Sequence, residues 1–508
     1  MLFERIIAPV FPAWALSRAQ ARLAFEALRG YDAARHTRRT RGWQAGSGSA
    51  NAETQTTLET LRNRSRDVVR NNPYAAGGLD ALVSFQVGTG IVPRSATGNQ
   101  ALDKQWQAAF EAWAGNADVA GAMDFYALQA AAARARAQDG EALLRLVPLS
   151  RREASAAGLD VPLQLQLLEA DYISSFRDQL GTQLAAIRQG VELDAWGKPV
   201  AYHLFTAHPG ETWGPAGMDT VRVPAGELLH LYRADRPGQL RGVPDLTPAI
   251  PRLRSLDEYE DAALEQAKVQ ACVAAFVTSD AGAAKGPLEA KTSEGEARKS
   301  LAPGLIERLR IGEQVQFLTP SGAGDFSPLA KHHLRAVAVG FGLTYDLLTG
   351  DLESANYSSL RAGRIAFKQR LARTQWLLLI PRLVAPVCQA WTRAAQLAGV
   401  LPATRGPWPL KYGPPRFPLL DPQTEMAGIL AELRTGAMTW PQMVTEAGYD
   451  PHSQLAEIAE WNISFDAAGI ILDGDPRRIA KSGGAQNPAA NAAVELAAKP
   501  GDAAAVQP

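Results

Sequence analysis

Cysteine is almost absent from the 508-residue chain, which contains only Cys272 and Cys388. Two cysteines in helix-like apolar runs exclude a disulfide framework and a cysteine-based zinc site, and they predict buried, reduced thiols in a cytoplasmic product. Long hydrophobic runs are also missing. The closest candidate, residues 376–387, is short and is interrupted by Pro381 and Pro386. We therefore expect no membrane-spanning helix and no membrane partner.

No charge of one sign dominates, since Lys plus Arg and Asp plus Glu both number 52. A neutral chain argues against a protein that coats nucleic acid by bulk attraction. A neutral surface is compatible with DNA that slides past it. A basic surface would instead neutralise phosphates, release their counterions and bind the DNA tightly. The 46% hydrophobic composition provides core material over most of the length. A chain this long is expected to form three or more structural regions.

The sequence also lacks the motifs of common enzymes. The pair Gly197-Lys198 is followed by Pro199 and has no upstream glycine at the P-loop offset, so a packaging ATPase is excluded. Residues 88–93 begin as a dinucleotide fingerprint, but Pro93 stands where the third glycine belongs. The 7 histidines form no zinc-binding His-Glu-x-x-His motif. These absences predict a protein that is not an enzyme and has no catalytic residue, cofactor or metal.

Residues 51–251 have the mixed patterns of an α+β body. Helical periodicity begins at Thr56 and stops at Asn71-Asn72-Pro73. A second helical run follows to about Gln86, and helical character returns over residues 101–137. Trp106, Phe110 and Trp113 stand at near-helical spacing there, which is typical of core residues. Alternating or β-branched patterns predict strands at five places. These are residues 141–149, 161–168, 186–193, 200–205 and 221–231.

The second half of the chain changes character several times. A long helix over 252–276 is densely charged at its start, and a polar, irregular segment follows over 277–325. A second helix over 326–343 leads to a Gly/Ser/Asn-rich loop, and a long basic helix comes after that loop. The remaining regions are an Arg-rich arm (1–50), the loop (344–357), the long helix (358–400), a connector with a helical section (401–473) and a tail predicted to be disordered (474–508).

The acidic run Asp257-Glu258-Tyr-Glu260-Asp261 permits two interpretations. Its carboxylates could bind magnesium in a nuclease, since Asp257 shares a helix face with Glu260 and Asp261. The alternative is an exposed helix face that forms ion pairs with neighbouring basic residues.

The fragments and their order resemble the portal proteins of tailed bacteriophages, specifically the lambda-like portal family. Each fragment alone is weak, but their order and spacing over about residues 20 to 470 are specific to the family. The fragments are Val69–Gly77, Val87–Pro93, Gln166–Tyr172, Gly190–Asp194, Gly197–His203, Arg236–Pro244, Leu256–Ala262 and Thr349–Ser359.

The resemblance implies a ring, usually a dodecamer, at one capsid vertex of the virion. Residues 51–251 would form the wing, 252–276 and 326–343 the stem around the channel, and 277–325 the clip. Residues 344–357 match the tunnel loop, and 401–473 the connector and crown. The implied partners are other copies of the chain, the terminase large subunit, the major capsid or scaffolding protein, a head–tail connector, and double-stranded DNA passing non-specifically. A domesticated portal of a prophage or gene-transfer particle would share the same sequence features.

The resemblance also suggests which residues line the channel. Lys331 and Arg335 lie one turn apart and could face DNA phosphates, or they could form ion pairs with the acidic helix of a neighbouring copy. Asn356, Tyr357 and Ser358 could touch the DNA backbone or cap the next helix. The full candidate set is Lys331, Arg335, Glu353, Ser354, Asn356, Tyr357 and Ser358 for the channel, with Asp257, Glu258, Glu260 and Asp261 for stem ion pairs.

Overall fold

The computed structural model describes residues 46–179, 186–211, 219–271, 275–279, 313–317, 326–353, 356–415, 417–418, 421–447, 449 and 451–470. The chain forms two compact units, residues 1–53 and 54–508. The first is described only where the chain enters its first helix, and the contacts below belong to the second. The predicted tail (474–508) and most of the predicted arm (1–50) and clip (277–325) lie outside the described residues.

Helices alternate with short strands along the described chain, which confirms the predicted α+β class. None of these helices combines the length and apolar content that a bilayer span requires. The helices are α1 (Ala50–Asn71), α2 (Pro73–Gln86), α3 (Gln100–Ala114), α4 (Phe125–Asp139), α5 (Arg151–Ala156), α6 (Ile250–Ala271), α7 (Phe326–Phe341), α8 (Tyr345–Thr349), α9 (Tyr357–Thr374), α10 (Ala385–Ala398), α11 (Pro422–Thr435), α12 (Trp440–Glu446) and α13 (Pro451–Ala468).

The strands form small antiparallel sheets, ordered β3-β2-β8, β4-β5-β6-β7, β1-β11 and β10-β9. The predicted strand over 221–231 divides in two, because Pro224 ends the first half and a turn follows it. The strands are β1 (Val92–Ser95), β2 (Glu141–Pro148), β3 (Leu163–Leu168), β4 (Ile187–Arg188), β5 (Val191–Leu193), β6 (Pro199–Phe205), β7 (Thr220–Pro224), β8 (Leu228–Tyr232), β9 (Ala275–Ser279), β10 (Glu313–Phe317) and β11 (Leu410–Gly413).

Aromatic side chains form the largest core, as their spacing in the sequence predicts. Trp106 and Phe110 of α3 stack with ring centroids 4.8 Å apart, and Trp391 of α10 meets Phe110 edge-to-face at 5.0 Å. The buried Trp106 indole donates a hydrogen bond to the Thr392 hydroxyl at 3.0 Å. This packing joins two segments that are almost 300 residues apart, and it fixes α10 against the N-terminal helices.

The long helix predicted over 358–400 is observed as three consecutive helical parts. Between α9 and α10, residues Gln375–Val384 adopt a π-helix that contains Pro381. Proline lacks the N–H that an α-helix would use at this position, and a wider turn accommodates its ring. Cys388 is buried and free in α10, as predicted, while Cys272 lies outside the described residues.

The two predicted stem helices are present with shifted ends. Helix α6 ends at Ala271, five residues before the predicted 276, and β9 follows it and pairs with β10. The β-branched and aromatic residues Phe276, Val277 and Thr278 favour that strand, which explains the shorter helix. The predicted loop over 344–357 contains the short helix α8 and the first residue of α9.

Candidate channel-lining site

A second core holds the base of both predicted stem helices. Leu253 and Leu256 of α6 and Leu334 and Val337 of α7 are buried in one cluster with Leu79 of α2. These positions recur every three or four residues, so each helix presents one apolar stripe to the core. Among the residues that the structure describes, the opposite face of each helix lies outside this core.

Helix α6 leaves this core after Leu256. From residue 257 to 268 every side chain is partly or fully exposed, and Leu264 is 55% exposed. A helix without a hydrophobic partner over three turns is marginal in water. This part of α6 therefore needs contacts from outside the described chain.

The antiparallel pairing of β9 with β10, which lie between α6 and α7 in the chain, favours an antiparallel course for the two helices. Gly340, near the end of α7, packs against Ala249, which precedes the start of α6. With that course and a rise of about 1.5 Å per residue, Lys331 would lie near the level of residue 258 and Arg335 near the level of residue 254. Of the two predicted cations, Lys331 would thus share a level with the acids at 257–261.

The four predicted stem acids differ in their surroundings. The Asn72 side-chain amide donates a hydrogen bond to Asp257 at 2.7 Å, and Arg254 forms an ion pair with Glu258 at 2.9 Å. Burial raises the pKa of the Glu260 carboxyl, and the like charges of Asp257 and Asp261 raise it further. Among the described residues, the charges of Asp257 and Asp261 thus oppose ionisation of Glu260. Whether these acids pair with a neighbouring copy stays a prediction.

Lys331 is paired within its own subunit. Its Nζ lies 3.4 Å from an Oε of Glu353 and 3.7 Å from an Oδ of Asp351. The hydrogen bond to Glu353, followed by the charges of Asp351 and Glu353, raises the pKa of Lys331. Two residues of the predicted site, Lys331 and Glu353, are thus brought together.

Asp351 connects this ion pair to α8. The Tyr345 hydroxyl donates to Asp351 at 2.9 Å, and the Glu353 backbone N–H donates to it at 3.0 Å. Both bonds favour the charged carboxylate, so the pKa of Asp351 is lowered, first by the backbone bond and then by Tyr345. Arg335 lies over the Tyr345 ring at 5.7 Å from its centroid. Lys331 and Arg335 together hold residues 345–353 against α7, which the sequence did not predict.

Removing the Lys331 charge should loosen this segment. In Lys331→Ala, we expect faster hydrogen–deuterium exchange of the backbone amides of residues 350–353, because Asp351 and Glu353 lose their common partner. Lys268→Ala removes another exposed ion pair, with Glu265 at 2.8 Å, and serves as the matched control. Unchanged exchange at 350–353 in Lys331→Ala would show that the ion pair does not hold the segment.

Asn356 caps helix α9, which is one of the two roles that the sequence left open for it. Its side chain accepts a hydrogen bond from the Ser359 N–H at 2.8 Å in a capping box, and this fixes the start of α9. Tyr357 is the first residue of α9, and Ser358 is exposed. Ser354 lies outside the described residues. Contact of this segment with DNA stays a prediction.

The described residues include one group with donor atoms close enough for a metal, and it is not the acidic run of α6. Glu169, Asp171 and His208 lie within 4.8 Å of one another through their donor atoms. However, Arg66 already binds Asp171 at 2.6 Å and Glu169 at 2.9 Å. A guanidinium at this position neutralises the carboxylates that a cation would need.

Comparison with known proteins gives the family. The chain matches the lambda family of phage portal proteins over residues 36–375, which is more than half of its length. A "Probable portal protein" of Halomonas phage phiHAP-1 is 27% identical over 469 residues, covering 87% of this chain and 88% of that protein. The chain therefore belongs to the lambda family of phage portal proteins.

Solved structures with similar chains include the neck of an empty gene transfer agent particle, computed with C6 symmetry. The matching chain of that particle is 14% identical to this one, with a TM-score of 0.47. The match covers 76% of this chain and 94% of that chain. An HK97 family phage portal protein from Corynebacterium diphtheriae is 12% identical, has a TM-score of 0.32, and covers 75% of this chain and 99% of its own. The family assignment rests on the sequence match.

Proposed function

We propose that this portal protein assembles into a closed ring, a dodecamer, and that double-stranded DNA passes through its centre. The observation that carries the proposal is the exposure of α6 beyond Leu256. A charged helix that leaves its own core requires neighbours, and a ring places the same helix of the next copy beside it.

The charged side chains of the two predicted stem helices support such a ring. Rotation about a ring axis preserves height, so the acids at 257–261 of one copy would stand near the height of Lys331 of the next copy and about one to two helical turns from its Arg335. Opposite charges at one level favour closure of the ring. The zero formal net charge of the chain suits a conduit, because a strongly basic channel would bind the phosphates and slow the DNA.

The finer roles follow from the family. The ring would stand at a capsid vertex of the virion, in contact with the major capsid or scaffolding protein. The terminase large subunit would dock at residues 277–325 during genome packaging, and the head–tail connector would take its place afterwards. DNA would leave by the same route during ejection. In these roles the protein positions other components and performs no covalent chemistry.

Two measurements on the purified full-length chain test this function. We expect negative-stain images to show rings with a central hole, and incubation with linear DNA and magnesium to leave the DNA intact. A monomeric particle that cleaves DNA in the presence of magnesium would contradict the proposal and favour the nuclease interpretation of residues 257–261.

A further inference from the structure

Helix α9 has an unbalanced positive charge. Its 18 residues include no acidic side chain. Within the described residues one of its cations has an ion-pair partner, Arg364, which lies 3.1 Å from Asp346. Such an excess marks a surface that attracts an acidic partner. The five cations are Arg361, Arg364, Lys368, Arg370 and Arg373.

Two of these cations line a cleft of about 590 Å³ between α9, the end of α7 and the segment after β8. These are Arg370 and Arg373, and neither forms an ion pair with any described residue. The Arg370 guanidinium fills the space beside Gly342 that a Cβ would need, and the positive φ of 80° there also favours glycine. The backbone at Gly342 therefore permits Arg370 to lie in the cleft.

The acids in the cleft are already neutralised. Asp245 accepts hydrogen bonds from the buried Arg136 at 2.6 Å and from Arg233 at 2.7 Å. Asp235 accepts a bond from Arg233 at 2.8 Å. The two carboxylates thus balance the charges of Arg136 and Arg233. The positive charges of Arg370 and Arg373 have no counterpart among these acids. The cleft can accept acidic groups from outside.

Apolar side chains adjoin these arginines. Leu377 lines an adjoining cleft that also contains Arg370 and Arg373, and it is 71% exposed. The neighbouring Trp376 is 49% exposed. A DNA backbone would leave such side chains in water, whereas an acidic protein segment with its own apolar residues would cover them. The expected occupant is therefore a protein helix that carries both types of side chain.

The C-terminal helices of the chain have these properties. Residues 421–470 contain eight acidic residues and one arginine. Among the described residues of this section only Val444 is a buried apolar residue, so α11–α13 have almost no core of their own. On α13, Glu457 and Glu460 are exposed beside Ile458 and Trp461, which are 40% and 55% exposed.

Resting on the ring proposed above, we infer that α11–α13 of one copy dock against α9 of the adjacent copy, with acidic side chains in the arginine cleft. Within one copy, neither Glu457 nor Glu460 forms an ion pair with any described residue. Docking between copies would neutralise the basic cleft and cover the apolar faces of both partners.

Charge reversal on each side tests the contact. Arg370→Glu with Arg373→Glu makes the cleft acidic, and Glu457→Lys with Glu460→Lys makes α13 basic. Each double variant alone is expected to lower the fraction of chain in rings by at least about tenfold in native mass spectrometry, because like charges then face each other. Arg151→Glu with Arg152→Glu, two exposed arginines of α5, is the matched control and should assemble normally.

Mixing the two double variants distinguishes contact between copies from contact within one copy. If the contact joins copies, alternating subunits match a basic α13 to an acidic cleft and an acidic α13 to a basic cleft, so mixed rings form. If only the quadruple variant assembles, the contact lies within one copy and the inference is overturned. Normal assembly of both double variants would also overturn it. A wild-type chain that stays monomeric would overturn the ring together with this inference.

Discussion

Glu141→Ala is expected to lower the free energy of unfolding by about 3–5 kcal/mol, because it leaves a buried guanidinium without its counter-charge. Glu141 and Arg241 are both fully buried, and the closest of their contacts is 2.8 Å. Arg62 of α1 binds the same carboxylate at 3.3 Å, and the Gly242 N–H donates to it at 2.6 Å. This carboxylate joins α1, β2 and the segment before α6. Urea unfolding followed by circular dichroism measures the loss.

The matched control is Glu192→Ala. Glu192 binds Arg222 at 2.7 Å, and both side chains are accessible to water. Its removal should cost at most about 1 kcal/mol. Equal losses in the two variants would show that the Glu141 network is not an essential element of the fold.

The same network gives stability a pH dependence. Burial alone would raise the pKa of Glu141, but the charge of Arg241 and the bond with His230 hold it well below its ordinary value. Desolvation lowers the pKa of the buried His230, so it is neutral in the fold. In both cases the unfolded state binds protons more readily. The unfolding free energy should therefore fall as the pH drops below about 6.5, and fall further below about 4.5. Stability that rises on acidification from neutral pH would contradict this.

Glu260→Lys with Asp261→Lys is expected to reduce ring formation by at least about tenfold. In the proposed ring these acids would stand near the height of Lys331 of the adjacent copy. Burial, and then the charges of Asp257 and Asp261, raise the pKa of Glu260. Reversal would place lysines opposite cations. Sedimentation velocity of the purified chain separates rings from monomers.

The control for this stem variant is Asp160→Lys with Glu227→Lys, two exposed acids outside α6. It changes the net charge by the same amount and should leave assembly unchanged. If both double variants assemble like the wild type, the stem acids do not contribute to the contact between copies.

Much of the fold could be predicted because its signals are local. Periodicity gave most helices, and the cap at Asn72, whose side chain accepts from the Ala75 N–H at 3.0 Å, marks the break between α1 and α2. The pairing of β1 with β11 could not be predicted, because the two strands are more than 300 residues apart and each has only four residues. Short strands have weak patterns, and their partners depend on tertiary packing.

The candidate site shows the same limit. Sequence spacing placed Lys331 and Arg335 on one helix face, but it did not show that Asp351 and Tyr345 fold back onto that face. The contact depends on the turn at Gly350, whose φ of 69° allows the chain to reverse after α8. The acidic charge of residues 421–470, by contrast, could be predicted from the composition alone, but the surface that binds them could not.

The most direct test is an electron cryo-microscopy structure of the purified full-length assembly. We expect a closed ring in which α6 and α7 of every copy surround a central hole wide enough for duplex DNA. In that ring, residues 257–261 of each copy would face Lys331 or Arg335 of the next. A closed ring with its hole walled by the β-sheets, and with α6 on the outer surface, would contradict it.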